Sequence, residues 1–297
     1  MSIIERVAEL LGPVPQTHQK SSTAGERAGN LEPDLIERAA GDISRRQAAR
    51  AAGRTARSLR VDRERLRRQS MITPDGERTA IAESFRRIKR HILANLAGPR
   101  TGTPPANLVL VTSALAGEGK TFCAINLAIS IALEMDRTVL LVDADVANPS
   151  VPQALGLEVG KGLMDVLLDR RIDLAEVLLK IDVGKLTLMP AGTAHKHATE
   201  LLSSAAMHGL LHEMAERYHD RIIIFDSPPL LSASEAGVLA TQMGQIVVVV
   251  EAGKTSQAAL KDALSRIEAS NVAGLLLNKG EGPGLGLHYG GYGYGAK

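Results

Sequence analysis

One nine-residue stretch restricts this chain more than any other. Leu108–Thr112 is a short apolar run that reads as a strand, and a helical pattern covers 121–135. Between them stands Ser113-Ala114-Leu115-Ala116-Gly117-Glu118-Gly119-Lys120-Thr121. It fits G-x-x-x-x-G-K-[ST], with Ala114 where the first Gly usually stands. Gly117 and Gly119 admit backbone conformations closed to other residues, so that successive N–H groups can face an anion. The helix that follows adds the favourable end of its dipole. Lys120 supplies a positive charge to β- and γ-phosphates, and Thr121 offers a hydroxyl to Mg²⁺. Ala116, Gly117, Glu118, Gly119, Lys120, Thr121 and Phe122 are therefore the expected nucleotide-binding residues.

The rest of the chain supplies a matching frame. Leu108–Thr112, Val139–Asp143, Leu186–Pro190, Ile222–Asp226, Ile246–Glu251 and Leu275–Asn278 are short Leu-rich or β-branched runs. Most are apolar on both faces, as buried parallel strands are. Helical patterns lie between them at 121–135, 151–157, 174–180, 205–218, 234–243 and 256–270, and an earlier one spans Thr79–Ala97. Alternation of this kind predicts an α/β fold, a doubly wound and mostly parallel sheet of the P-loop NTPase type with deviant Walker-type motifs. Ligands in such sheets bind at the C-terminal strand ends.

Carboxylates stand at two of those ends. Val139-Leu-Leu-Val-Asp143-Ala-Asp145 closes one run, and Ile222-Ile-Ile-Phe-Asp226-Ser-Pro-Pro closes another. A carboxylate at the end of an apolar strand is expensive to hold without a cation or hydrogen bonds. A Mg²⁺ beside the phosphate loop would satisfy it, with Thr121, Asp143 and Asp226 as the expected ligands. Asn278, ending the last strand, is placed to hydrogen-bond a base.

Composition divides the chain. Residues 1–75 are read as a basic, largely disordered linker with a short first helix, 76–279 as the P-loop nucleotide-binding domain, and 280–297 as a flexible Gly/Tyr tail. Residues 1–100 carry 20 Lys+Arg against 12 Asp+Glu, and the remainder carries 15 against 21. Arg45–Arg68 holds ten Arg and no aromatic residue, so base stacking is unavailable and nucleic acid is not expected as a partner. Met1–Leu11 has Ile3, Ile4, Val7, Leu10 and Leu11 at helical spacing, but Glu5 and Glu9 rule out a secretory signal. No apolar run reaches the length of a membrane span. The single Cys123 cannot form an internal disulfide, which suits a reducing cytoplasm. Gly280–Lys297 contains eight glycines and three of the four tyrosines, Tyr289, Tyr292 and Tyr294. That composition cannot build a core, and glycine spacing leaves the tyrosines free to reach another surface.

The loop Ala114–Thr121, the Asp143-x-Asp145 pair and Asp226-Ser-Pro-Pro together resemble the bacterial tyrosine kinases, autokinases of capsule and exopolysaccharide export. The resemblance covers roughly Glu83 to the C-terminus. Glu83-Ser-Phe-Arg86-Arg-Ile-Lys89 is similar to the family's E-x-x-R-x-x-R oligomerisation motif, with Lys for the last Arg. Asp143–Ser150 and Met1–Arg6 resemble the subgroup found at exosortase-linked polysaccharide loci. The resemblance implies ATP and Mg²⁺ as cofactors and Lys120, Asp143 and Asp145 as catalytic groups, with Asp145 accepting the tyrosyl proton. It implies Tyr289, Tyr292 and Tyr294 as phosphoacceptors, reacting in trans within a ring-like homo-oligomer held by Glu83, Arg86 and Lys89. It also implies a separate transmembrane activator of the polysaccharide co-polymerase type, with the chain cytoplasmic and peripheral to the inner membrane through that partner.

The chain departs from the family pattern at three further points. Ala147 and Asn148 stand where an Arg is expected, and Lys89 loses the bidentate geometry of Arg. The motif set also leaves open a catalytically silent regulator, supported only by the missing Arg, and a non-kinase ATPase switch of the partition or septum-site type. Those proteins carry a signature Lys at the loop position occupied here by Leu115, and the tyrosine tail has no role in them.

Overall fold

A computed structural model describes residues 58–75, 78–96, 104–267 and 272–280. The tail tyrosines and Met1–Leu11 lie outside the described residues. Seven strands make one sheet: β1 (Leu108–Ser113), β2 (Thr138–Asp143), β3 (Leu179–Lys180), β4 (Leu186–Met189), β5 (Arg221–Asp226), β6 (Gln245–Glu251) and β7 (Val272–Asn278). Their order is β3-β4-β2-β5-β1-β6-β7. Every pairing is parallel except β3 with β4. The six strands expected from the sequence are present, and the two-residue β3 is an antiparallel edge that no apolar run announced.

The apolar runs are buried because helices cover both faces. On one face lie α1 (Arg63–Arg68), α2 (Ala80–Leu96), α3 (Lys120–Ala132) and α4 (Val151–Leu155). On the other lie α5 (Leu163–Leu168), α6 (Leu174–Val177), α7 (Ala198–Leu202), α8 (Ala205–Arg217), α9 (Ser234–Ala240) and α10 (Gln257–Ser265). The helix after the phosphate loop, α3, is apolar nearly all round and has every residue from Cys123 to Ala132 buried, which fixes its N-terminus rigidly under the loop. The edge strand β7 departs from the buried pattern. Val272, Leu275 and Leu277 are exposed on it.

Structure begins earlier than composition suggests. Residues 58–75, grouped above with the linker, are folded against the domain. Leu59 bridges to Ile181, and Leu66 in α1 is fully buried together with Val61, Met71 and Ile72. Asn126 of α3 fixes this segment: its Oδ1 accepts from the Ile72 N–H at 2.7 Å, while its Nδ2 donates to the Phe122 carbonyl at 2.8 Å. Arg63 and Arg67 both donate to Asp75 at 2.8 Å, so this part of the arginine run is paired rather than merely solvated. Two other differences are short. The pattern at 174–180 divides into α6 and β3, and α5 and α7, at six and five residues, are too brief to show a helical period.

Candidate active site

The strand order assembles the site. β2, β5 and β1 are consecutive neighbours, so the carboxylates ending β2 and β5 and the loop leaving β1 meet at one rim. Asp143 and Asp226 are register partners across β2 and β5, and Asp226 is the partner of Val111 across β5 and β1.

The loop between Ser113 and Lys120 has the anticipated backbone. Gly117 and Gly119 have φ of +83° and +92°. The φ of Gly119 calls for glycine, and a Cβ there would stand 2.2 Å from the Asn278 amide nitrogen, so a side chain would displace Asn278 from its contact with the loop. Ala114, in place of the usual Gly, is fully buried, and its methyl fits there. The buried Glu118 side chain braces the loop from within. One carboxylate oxygen accepts from the Leu115 N–H at 2.7 Å, and the other accepts from the Thr255 hydroxyl. Asn278 Nδ2 donates to the Glu118 carbonyl at 2.9 Å, which places this residue on the loop. The Phe122 ring turns away toward Phe85 of α2, with ring centroids 6.4 Å apart in an edge-on arrangement.

Lys120, Thr121 and the three aspartates converge. Lys120 Nζ lies 2.7 Å from Asp145 Oδ2, and both side chains are largely enclosed. The Thr121 hydroxyl donates to Asp226 Oδ2 at 2.6 Å and sits 3.1 Å from the Ser150 hydroxyl. Asp143 Oδ2 accepts from the N–H groups of Ser150 and Val151, each at 3.0 Å, at the start of α4. The remaining oxygens, Asp143 Oδ1 and Asp226 Oδ1, are buried and have no hydrogen-bond partner. Burial pushes Asp226 up to about 7, against the opposing pull of Lys120 and Thr121. It pushes Asp143 up to about 6, against its two backbone donors. Burial, with Asp226 nearby, raises the Cys123 thiol to about 12.

Two orphaned carboxylate oxygens on adjacent strand ends, beside a threonine hydroxyl, make a hard-oxygen donor set of the kind a divalent ion takes. Among the described residues no group of three His, Cys, Asp or Glu side chains forms a metal cage by itself. The set therefore fits Mg²⁺, which retains waters and substrate phosphate oxygens in its shell, better than a metal that needs a full protein cage.

Three participants were missed by sequence reasoning. Thr255 braces Glu118, Ser150 contacts Thr121, and Lys279 donates to the Gly117 carbonyl at 2.7 Å. Ser150 lay inside the stretch singled out after Asp143, and Lys279 adjoins Asn278. Both are hydrophilic residues in turns, which pattern alone does not distinguish from solvated ones. The residues expected to hold an oligomer lie on α2. Glu83 and Arg86 pair with each other on the surface. Lys89 reaches inward instead, 2.8 Å from Glu134 and 2.9 Å from the Ser130 carbonyl, and ties α2 to α3.

Known proteins share the fold that carries this site. Residues 107–273 match the family model described as an AAA domain. The chain is similar to the tyrosine-protein kinase YwqD of Bacillus subtilis (strain 168), 35% identical over 190 residues, covering 62% of this chain and 77% of YwqD. It is also similar to the succinoglycan biosynthesis transport protein ExoP of Rhizobium meliloti (strain 1021), 33% identical over 229 residues, or 75% of this chain and 28% of ExoP. The chain thus spans most of the first relative and little more than a quarter of the second. Among solved structures, the chimerical protein CapA2B2 shares the fold, with a TM-score of 0.63 and 24% identity over 72% of this chain and 91% of that one.

Proposed function

The chain belongs to the AAA-domain bacterial tyrosine kinases, and from that membership we propose that it is an ATP-dependent protein-tyrosine kinase whose substrates are tyrosines of its own C-terminal tail. The observation that carries the proposal is the pair of buried, unpartnered oxygens on Asp143 and Asp226 beside Thr121 and Lys120. A pair of desolvated carboxylates is destabilising in the folded chain unless a cation arrives with the ligand.

ATP binds with its phosphates against the N–H groups of Ala116–Phe122. Thr121, Asp143 and Asp226 would hold Mg²⁺, directly or through water, and the ion would supply charge neutralisation at the phosphates. Lys120 leaves Asp145 for the β- and γ-phosphate oxygens, since a triphosphate offers it more negative charge than one carboxylate. That transfer frees Asp145 Oδ2. The tyrosyl Oη then bonds to the γ-phosphorus, its proton passes to Asp145 Oδ2, and the bond from phosphorus to the β,γ-bridging oxygen breaks to release ADP. Asn278, whose Nδ2 donates to the Glu118 carbonyl, would keep its Oδ1 for a hydrogen bond from the base.

The acceptors are Tyr289, Tyr292 and Tyr294, reacting in trans within a ring of copies. The exposed pair Glu83 and Arg86 on α2 serves the contact between copies, and Lys89 holds that helix in place. No helix among the described residues is long and apolar enough to cross a membrane. A separate transmembrane activator, which the family resemblance implies, would hold the chain at the cytoplasmic side of the inner membrane. The pathway served is exopolysaccharide synthesis or export, a reading supported by the similarity to the succinoglycan biosynthesis transport protein ExoP.

The test is mass spectrometry of the tail after incubation with ATP and Mg²⁺, for the wild type and for Lys120→Met, with and without the cytoplasmic end of a co-expressed activator. Phosphotyrosine within 289–294 in the wild type alone is expected. Free phosphate without phosphotyrosine, activator present, would overturn the kinase reading in favour of an ATPase switch.

A further inference from the structure

Lys279 stands just beyond β7 with φ of +56°. That left-handed conformation disfavours a side-chain-bearing residue, and for one other than Asn or Asp it is uncommon. Glycine would adopt it without strain, and Gly280 is the next residue. Backbone strain persists where something else in the structure requires that residue. Here the side chain has a specific engagement: Lys279 Nζ donates to the Gly117 carbonyl at 2.7 Å and lies 3.3 Å from Glu251 Oε2. Its neighbour Asn278 donates to the next carbonyl of the loop, that of Glu118.

These two contacts act on the groups that meet the phosphates. In a trans peptide the C=O and the following N–H point in opposite directions. Drawing the Gly117 carbonyl toward β7 therefore aims the Glu118 N–H the other way. Drawing the Glu118 carbonyl toward β7 does the same for the Gly119 N–H. Gly117 itself is exposed, and a Cβ placed there would meet nothing within 4 Å, so packing does not hold this peptide. We infer that Lys279 is a positioning residue for nucleotide binding: its ammonium fixes the 117–118 peptide so that the loop presents its N–H groups to phosphate before the ligand arrives.

This inference rests on the nucleotide-binding reading above, and the experiment separates the two. The full-length chain is titrated with a fluorescent ATP analogue and Mg²⁺, and its Tm is measured without nucleotide. Lys279→Gly removes the tether and the backbone strain together. It is expected to leave Tm unchanged or raised while weakening the analogue's Kd about tenfold, the scale of one charged hydrogen bond. Lys279→Arg keeps a donor and is expected to stay within about threefold of wild type. Wild-type affinity in Lys279→Gly overturns the inference. So does a fall in affinity matched by a fall in Tm, which would make Lys279 a fold-stabilising residue only. No binding by the wild type overturns the nucleotide reading and this inference with it.

Discussion

Replacing Asp226 by Asn yields a quantity that can be worked from the structure. Burial holds the Asp226 carboxyl at about 7 in the folded chain, against 3.8 for the free side chain. A raised carboxyl favours the proton in the folded state, so the unfolded state ionises first as pH rises. Stability is full below the unfolded value and is lost as pH climbs toward the folded one. Between about pH 5.5 and pH 7 the unfolded chain is already ionised here while the folded chain still holds most of its proton, and the loss runs at about 1.4 kcal/mol per pH unit until the folded group ionises too. The ligand-free protein should therefore lose about 2 kcal/mol by about pH 7.5 from this residue. Asp143, pushed to about 6 by the same burial, adds a smaller loss of the same sign. With a urea slope of roughly 2 kcal/mol per molar, the unfolding midpoint falls by about 1 M. Asp226→Asn cannot ionise and should lose most of that slope. Every other residue is shared by the two proteins, so the difference between them isolates Asp226. Nucleotide with Mg²⁺ at the higher pH should restore wild-type stability and do little for the variant. Equal midpoint shifts in the two proteins, or a wild type that gains stability as pH rises, would refute the argument that two unpaired carboxylates await a cation.

Gly119→Ala should weaken nucleotide binding at least tenfold and destabilise the fold by about 1–3 kcal/mol, because the new methyl meets Asn278 in a left-handed backbone; calorimetric titration and thermal melts check both. Leu66→Ala should cost about 2–5 kcal/mol, the range for emptying a buried leucine site, in urea unfolding of the full chain. A loss below about 0.5 kcal/mol, the scale of a surface change, would mean that 58–75 behaves as the linker its composition suggests. Cys123, buried and with its thiol raised to about 12, should react with a thiol reagent only as fast as the chain unfolds. Rapid labelling of the native protein would contradict its placement beside Asp226.

The phosphate loop was legible because its chemistry demands residue types at fixed spacing: glycines where the backbone turns, Lys120 and Thr121 at the head of a helix. The acids were legible for a different reason. Asp143 and Asp226 end apolar runs, and sheet topology carries strand ends to one rim whatever the connecting residues are. Lys89 and Lys279 were not legible, because a lysine's partner is decided by tertiary placement. Lys89 has a motif position on α2, yet it faces Glu134 and a carbonyl of α3. Lys279 follows a strand as any turn residue might, and its role appears only when Gly117 is brought beside it. The segment 58–75 misleads in the same way. Ten arginines dominate the Arg45–Arg68 stretch, while four apolar side chains, Val61, Leu66, Met71 and Ile72, decide where its end folds. Local pattern identifies groups that must be satisfied, and only the assembled sheet shows what satisfies them. At this rim Lys120 is satisfied by Asp145 and Thr121 by Asp226, while one oxygen each on Asp143 and Asp226 is left without a partner. That imbalance, three carboxylates gathered around one lysine, is the ground on which we propose a cation-bearing triphosphate as the ligand that completes the site.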